Sequence, residues 1–382
     1  MSRTTFKQTM RKSMRLQTTP HCFPRLGTAP IDAIFFTEGD ALYEHMAHSI
    51  RNAQRSIRVE YYMFAPDEVG WQFAELLVAK AAEGVSVWVH LDAAGSFFWS
   101  AGGLGRYLRK HHIHVRWFHR WSWRQPLRYN RRNHRKMLII DGKELYLGGY
   151  NIHRDSSYKV VGAQRWRDTH VRTTGALARE AAELFDHFWR GGHYWEPKPT
   201  HLDSMLVPNH TRNCRHTLRC LYTEYIAAAK NYIYLTTPYF VPDLFTQQAL
   251  IKAANQGVDV RLLVPHKSDV LLTQWAARAA YASLLKAGVR IYEYLPRVLH
   301  AKTAVIDGTW GTVGTANLDY RSLYLNYELN FVTHTPVLCA ELERQFLLDL
   351  QEAQEILPAR WAARHWISYI TEGLGWCARR WL

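Results

Sequence analysis

The chain has 382 residues and a net charge of +15, with a pI of about 9.6. That is length enough for two domains and charge enough to expect anionic partners: membrane lipid, nucleic acid or phosphorylated small molecules. Five scattered cysteines (Cys22, Cys214, Cys220, Cys339, Cys377) without a C-x-x-C speak against a disulfide framework or a cysteine zinc site and favour a reducing compartment. No apolar run approaches the roughly 18–20 residues that span a bilayer, and no secretory signal is expected.

In chain order, residues 1–30 read as a basic tail. Residues 1–31 hold six Lys or Arg and no acid. Phe6, Met10 and Met14 recur every four residues, which suits a short amphipathic helix on a membrane surface; a disordered tail and a mitochondrial transit peptide fit the same composition. A first lobe is expected over 31–195. It should contain a strand over 56–64, a helix over 67–82 stopped by Gly84, and a strand over 85–91. A linker with Pro197, Pro199 and Pro208 is expected over 196–215. The second lobe, 216–350, repeats the order: strand 232–240, helix 243–255 stopped by Gly257, strand 258–264. Strand, helix, strand in each copy predicts an α/β fold of two tandem pseudo-symmetric lobes, each a mixed sheet flanked by helices, with the active site at the lobe interface. Residues 351–382 form an extension rich in Trp and Arg.

The chemistry lies in a repeated pattern, H-x-K-x-x-x-x-D. The first copy is His134, Lys136 and Asp141; the second is His300, Lys302 and Asp307. Gly148 with Asn151 and Gly314 with Asn317 follow at matching distances, all at one offset of 166 residues. Residues two apart on a strand share a face, so each pair presents an imidazole and an ammonium together. Asp141-Gly142 and Asp307-Gly308 are hairpin signals, which favours a structural role for both aspartates despite their place in the motif. Gly148 and Gly314 would let a ligand approach the backbone. Two histidines, two lysines and two asparagines from equivalent strand ends would surround an anion, phosphate being the natural guest. Two histidines and no apparent metal cluster suggest covalent catalysis: one imidazole attacks phosphorus, the other protonates the departing alcohol. His111, His112, His114 and His119 lack the clustered carboxylates or cysteines a metal would want, so neither metal nor cofactor is expected.

This doubled motif resembles the defining signature of the phospholipase D superfamily. The strings from Gly148 to Asp155, Trp166 to Arg172, Gly314 to Ser322 and Leu325 to Asn330 are most similar to its bacterial cardiolipin synthase branch. The likeness covers about residues 30–345, with Thr315 standing where the family commonly has serine. It implies that His134 is the nucleophile and His300 the general acid/base. It also implies that Asp168 and Glu328, 34 and 28 residues after the histidines, support the imidazoles. Lys136, Lys302, Asn151 and Asn317 would bind phosphate.

Interleaved aromatic and basic residues upstream of His134 (among them Trp117, Phe118, Trp121, Trp123, Arg128 and Arg132) suit a membrane interface. They would also suit single-stranded nucleic acid, the less favoured partner. Trp361, Trp366, Ile367, Ile370, Trp376 and Trp381 suggest a terminal helix that lies in the interface or packs on the second lobe. The expected activity is phosphatidyl transfer between two phosphatidylglycerol molecules, with release of glycerol. The protein would be peripheral on the cytoplasmic face of a bacterial inner membrane. A phospholipase D using another acceptor, a nuclease of the superfamily and a silent lipid-binding module are the alternatives.

Overall fold

The computed structural model describes residues 27–379 apart from 101–102, 121–122, 125–128, 199, 201, 213, 215 and 269. The expected amphipathic repeat of the first tail and Trp121, Arg128 and Trp381 therefore lie outside the described residues.

Two mixed sheets form the body. The first has strands β1 (Ala33–Phe36), β2 (Ser56–Tyr61), β3 (Ser86–Asp92), β4 (His114–Phe118), β5 (Met137–Ile140), β6 (Glu144–Gly148) and β7 (His170–Thr174), in the order β1-β7-β6-β5-β2-β3-β4. The second has β8 (Ser204–Pro208), β9 (Tyr232–Thr236), β10 (Asp259–Pro265), β11 (Arg290–Tyr294), β12 (Thr303–Ile306), β13 (Trp310–Gly314), β14 (Leu329–Thr333) and β15 (Ala353–Glu355), in the order β15-β11-β10-β9-β12-β13-β14-β8. In each, three parallel strands (β2-β3-β4 and β9-β10-β11) meet an antiparallel run. β8 falls inside the segment expected to be a linker. It pairs antiparallel with β14 as β1 pairs with β7, so that stretch supplies an edge strand.

Local chemistry explains the repeat. Asp67 and Asp243 cap the helices Glu68–Ala82 and Leu244–Asn255, accepting from Gly70 N and Thr246 N at 2.9 and 2.7 Å; each satisfies one of the amides a helix start leaves unbonded. Gly84 and Gly257 close those helices at φ +89° and +88°, where a side chain would be strained. The motif strands are buried on both faces. Leu138, Ile140 and Tyr146 join the core beneath the first-lobe helices. Their neighbours Met137, Ile139, Leu145 and Leu147 face the other way, into a core shared with Leu206, Leu329 and Phe331 of the second lobe. That shared core clamps the lobes together and brings the two motif strands near one another.

The terminal segment docks on the second lobe. Trp361 packs against the second-lobe core. The helix Trp366–Ala378 crosses the helix Leu271–Lys286 so closely that a Cβ on Gly375 would meet Ala276 N at 2.4 Å.

Candidate active site between the two lobes

His134 and His300 sit just before β5 and β12, and each is held by the opposite lobe. His134 N donates to Tyr327 O at 2.9 Å, and His300 N to Arg167 O at 2.7 Å. Parallel bridges pair Asn133 with Tyr327 and Leu299 with Arg167. The residues after these anchors are Glu328 and Asp168. The Glu328 carboxylate lies 3.0 Å from His134 Nδ1, and that of Asp168 lies 2.6 Å from His300 Nδ1. The carboxylates are thus exchanged between lobes: each supports the other half's histidine, not the one that precedes it in the chain.

Both carboxylates are fully enclosed. Burial pushes their pKa values up, but His134 with Lys136 around Glu328, and Lys302 with His300 around Asp168, outweigh it and hold both below the usual range. Hydroxyls of Thr315 and Ser322 donate to Glu328 at 2.6 and 2.8 Å. Thr169 N donates to Asp168 at 2.7 Å.

Burial lowers the proton affinity of both imidazoles, and the two lysine ammoniums add to it against the pull of the carboxylates. A carboxylate and the Thr315 carbonyl (3.1 Å) both face His134 Nδ1. Two acceptors there place the proton of the neutral ring on Nδ1 and leave the Nε2 lone pair bare. His300 Nδ1 instead has one carboxylate and the Lys302 Nζ, at 2.9 Å. Lys136 and Lys302 are almost wholly buried and donate to the carbonyls of His134 and His300. Lys136 is pushed down to about 7, chiefly by burial and then by the charge of Lys302.

Asp141 and Asp307, catalytic candidates by their place in the motif but favoured for a structural role by their hairpin turns, do not reach the histidines. Five residues of strand, about 16 Å, separate Lys136 from Asp141. Asp141 accepts from the backbone N–H groups of Gln54, Arg55 and Ser56; Asp307 does the same for Lys230, Asn231 and Tyr232. Both take positive φ, 55° and 52°, in their hairpin turns. Gly148 and Gly314 admit the protein itself and not a ligand: a Cβ would strike His170 and Thr169 O at the first, and the Asn330 side chain at the second. The Asn317 amide donates to Asp319 at 3.0 Å. Asn151 Oδ1 accepts from Met63 N at 3.2 Å. Phe118 and Arg132, expected at a membrane-facing mouth, are buried; the Arg132 guanidinium is paired with Asp92 at 2.8 Å. Trp123 does face solvent, with Arg124 over its ring at 5.1 Å.

Sequence reasoning gave no role to the aromatic walls. The Tyr62 ring stands edge-on to His134 at 4.9 Å, and Trp166 lies 5.0 Å from His300. Tyr62 directly follows β2, at the carboxyl end of a parallel strand, where α/β sheets place ligands. That position was the available signal.

Residues 46–189 and 222–350 match the family described as cardiolipin synthase, PLD-like domain. A cardiolipin synthase of Clostridium perfringens (strain SM101 / Type A) is 32% identical, the match covering 90% of this chain and 75% of that protein. Cardiolipin synthase 2 of Bacillus cereus is 34% identical, over 84% of this chain and 65% of that one. The chain thus spans about two thirds to three quarters of the length of these curated relatives. Among solved structures, a phosphatidylserine synthase of Haemophilus influenzae superposes with a TM-score of 0.70 at 13% identity, over 98% of this chain and all of that one. The polyphosphate kinase of Porphyromonas gingivalis gives 0.62 at 14% identity, over 86% and 49%. At such identities the likeness is one of fold.

Proposed function

The chain belongs to the cardiolipin synthase family with a phospholipase D-like domain, and from that premise we propose that it transfers a phosphatidyl group from one phosphatidylglycerol to the terminal hydroxyl of a second, releasing glycerol. The observation that carries this reading is the pair of buried imidazoles, each held at Nδ1 by a carboxylate of the opposite lobe with two buried lysines beside them.

In the first displacement His134 Nε2 attacks phosphorus. The N–P bond forms as the P–O bond to glycerol breaks, and His300 gives the leaving oxygen its proton. In the second, His300 takes the proton from the hydroxyl of the incoming lipid. That oxygen attacks phosphorus, the N–P bond breaks, and His134 is restored. Glu328 holds the His134 proton on Nδ1 and stabilises the ring as it becomes cationic. The lysines neutralise the phosphate and the charge that builds up on its oxygens. A bound phosphate also offsets the ammonium charge that suppresses protonation of His300, so substrate itself arms the acid. The protein would act from a membrane surface, the cytoplasmic face of a bacterial inner membrane being the expected one.

The test is purified protein on phosphatidylglycerol vesicles beside a His134→Ala control, with lipids resolved by mass spectrometry. Cardiolipin plus free glycerol, absent in the control, is the expected result. Phosphatidic acid alone would make the enzyme a hydrolase, and no lipid turnover would point to nucleic-acid phosphodiesters.

A further inference from the structure

The helix Trp366–Ala378 is built inside out for a helix on a protein surface. Its one charged residue, Glu372, is turned inward and buried, where Arg364 grips both carboxylate oxygens at 2.8 Å. Gly375 also faces the body, against Ala276. The opposite face presents Trp366, Ile367, Tyr369, Ile370 and Leu374, each between 50% and 63% exposed. These positions fall on one side of a helical wheel at 100° per residue. A surface helix normally shows polar residues there, and a contiguous apolar face of this kind marks an interaction surface.

Two further apolar tips lie toward the same end of the second sheet. Leu244 and Phe245 open the helix that follows β9, and Val270 and Leu271 come just after β10. All four are exposed. β9 and β10 are parallel, so both tips lie beyond the same strand ends. Those ends open on the catalytic cleft, because Tyr239, in the loop after β9, stands 6.5 Å from His300. Helix Trp366–Ala378 runs antiparallel to Leu271–Lys286. Ser368 and Glu372 share a cleft with Arg278, while Gly375 is already at Ala276. Its carboxyl end, with Leu374, therefore approaches the Leu271 tip. The apolar face of the terminal helix thus runs up to the two apolar tips on the cleft side of one lobe, in a chain with 48 Lys and Arg against 33 acidic residues.

We propose that the outer face of helix Trp366–Ala378, together with the tips Leu244–Phe245 and Val270–Leu271, is the surface by which the protein seats on a bilayer containing anionic phospholipid. This deepens the lipid reading above and rests on it. The apolar side chains enter the headgroup–acyl boundary, Trp366 and Tyr369 sit at headgroup depth, and the excess positive charge supplies long-range attraction to the anionic surface. The seating turns the cleft mouth toward the membrane, so a lipid headgroup reaches His134 and His300 without the whole molecule leaving the bilayer. A second copy of the chain is the competing occupant. Charge favours the bilayer, since two copies would each bring the same excess of cations.

The experiment is cosedimentation with vesicles of phosphatidylglycerol and phosphatidylcholine, alongside turnover of a short-chain phosphatidylglycerol below its micellar concentration. The triple variant I367E/I370E/L374E should lose at least tenfold in vesicle partitioning while keeping its turnover of the dispersed lipid and its unfolding temperature. The double variant L244E/F245E, on a different element, should lose several-fold and guards against misfolding of the terminal helix. Val337→Glu, at an exposed valine elsewhere, should change nothing. Wild-type partitioning by both variants, or a dimeric wild type that the triple variant renders monomeric with vesicle binding intact, would overturn the proposal. If no protein turns over the dispersed lipid but the triple variant still loses vesicle binding, the surface stands and the catalytic reading falls.

Discussion

The two lobes carry the same motif on the same strands, yet the ground beneath their histidines differs. Around His134, residues 132, 133 and 135 are Arg, Asn and Arg; at the matching positions around His300 stand Val298, Leu299 and Ala301. In the first lobe these side chains enter a buried polar network. Arg135 pairs with Glu60 at 2.9 Å, Asn133 donates to the same carboxylate, and Arg132 pairs with Asp92. In the second lobe Leu299 and Ala301 join an apolar core. The supporting carboxylates differ too. Asp168 lies against Gly149, where a Cβ would meet its Oδ1 at 2.0 Å. The longer Glu328 lies against Thr315, the residue matching Gly149, and takes its hydroxyl. The two halves keep one geometry at the reacting atoms and differ in the layer directly behind it, a difference that accompanies the unlike roles proposed for the two histidines.

The largest effects should come from the carboxylate contacts. Gly149→Ala pushes a methyl group into Asp168, and Asp168→Asn removes the charge that orients His300; each should lower kcat by about 10²- to 10⁴-fold. Thr315→Ala, at the matching position, removes one hydroxyl from Glu328 and should cost about tenfold, on the order of 1.4 kcal/mol. Equal losses at the two positions would dissolve the asymmetry. In the lobe behind, Arg135→Met strands the buried Glu60 carboxylate and should destabilise the fold by about 3–5 kcal/mol. Glu60→Gln in the same chain should recover much of it, as read from denaturant midpoints; an unchanged midpoint in the single variant would show the network to be idle.

Away from the site, Asp141→Ala removes acceptors from three backbone amides and should cost about 1–3 kcal/mol of stability, with kcat unchanged. The native Asp141 carboxyl is held below its ordinary value by those amides and by Lys143, against the opposing effect of partial burial. Its contribution is therefore complete above the unfolded pKa, about 3.9, and fades as pH falls through the lower folded value. A drop in kcat without loss of stability would return Asp141 to the chemistry.

The smallest effect expected is on substrate affinity. With Lys136 near 7, its ammonium is present below that pH and lost above it, so KM for an anionic lipid should rise a few-fold between about pH 7 and 9. Lys302→Met removes the repelling charge and raises the Lys136 pKa, which should shift that limb to higher pH. A limb unmoved by Lys302→Met would mean the two lysines do not sense each other.

Much of this was legible in the sequence because its signals are local. The continuous apolar runs closed by Asp-Gly turns gave the hairpins β5–β6 and β12–β13, and the helix stops at Gly84 and Gly257 gave the strand–helix–strand order. The same-face rule gave the His-x-Lys pairs. What could not be read depends on contacts between distant segments. Asp168 and His300 are 132 residues apart, Glu328 and His134 194, and no local pattern says that a carboxylate serves the far histidine. β8 was hidden because Pro208, a turn signal in isolation, ends an edge strand where a missing amide is tolerated. Gly148 and Gly314 were misread for the same reason: the atoms that need their space, on His170 and Asn330, come from the next strand over.

The most direct test is to stop the reaction halfway. His300→Ala protein, given a phosphatidyl p-nitrophenyl ester whose leaving group departs without the proton His300 would supply and quenched at alkaline pH so that a phosphoramidate survives, should carry a phosphatidyl adduct on the peptide containing His134. An adduct on the His300 peptide of the His134→Ala protein instead, or glycerol release by the wild type with no adduct on either histidine, would contradict the account.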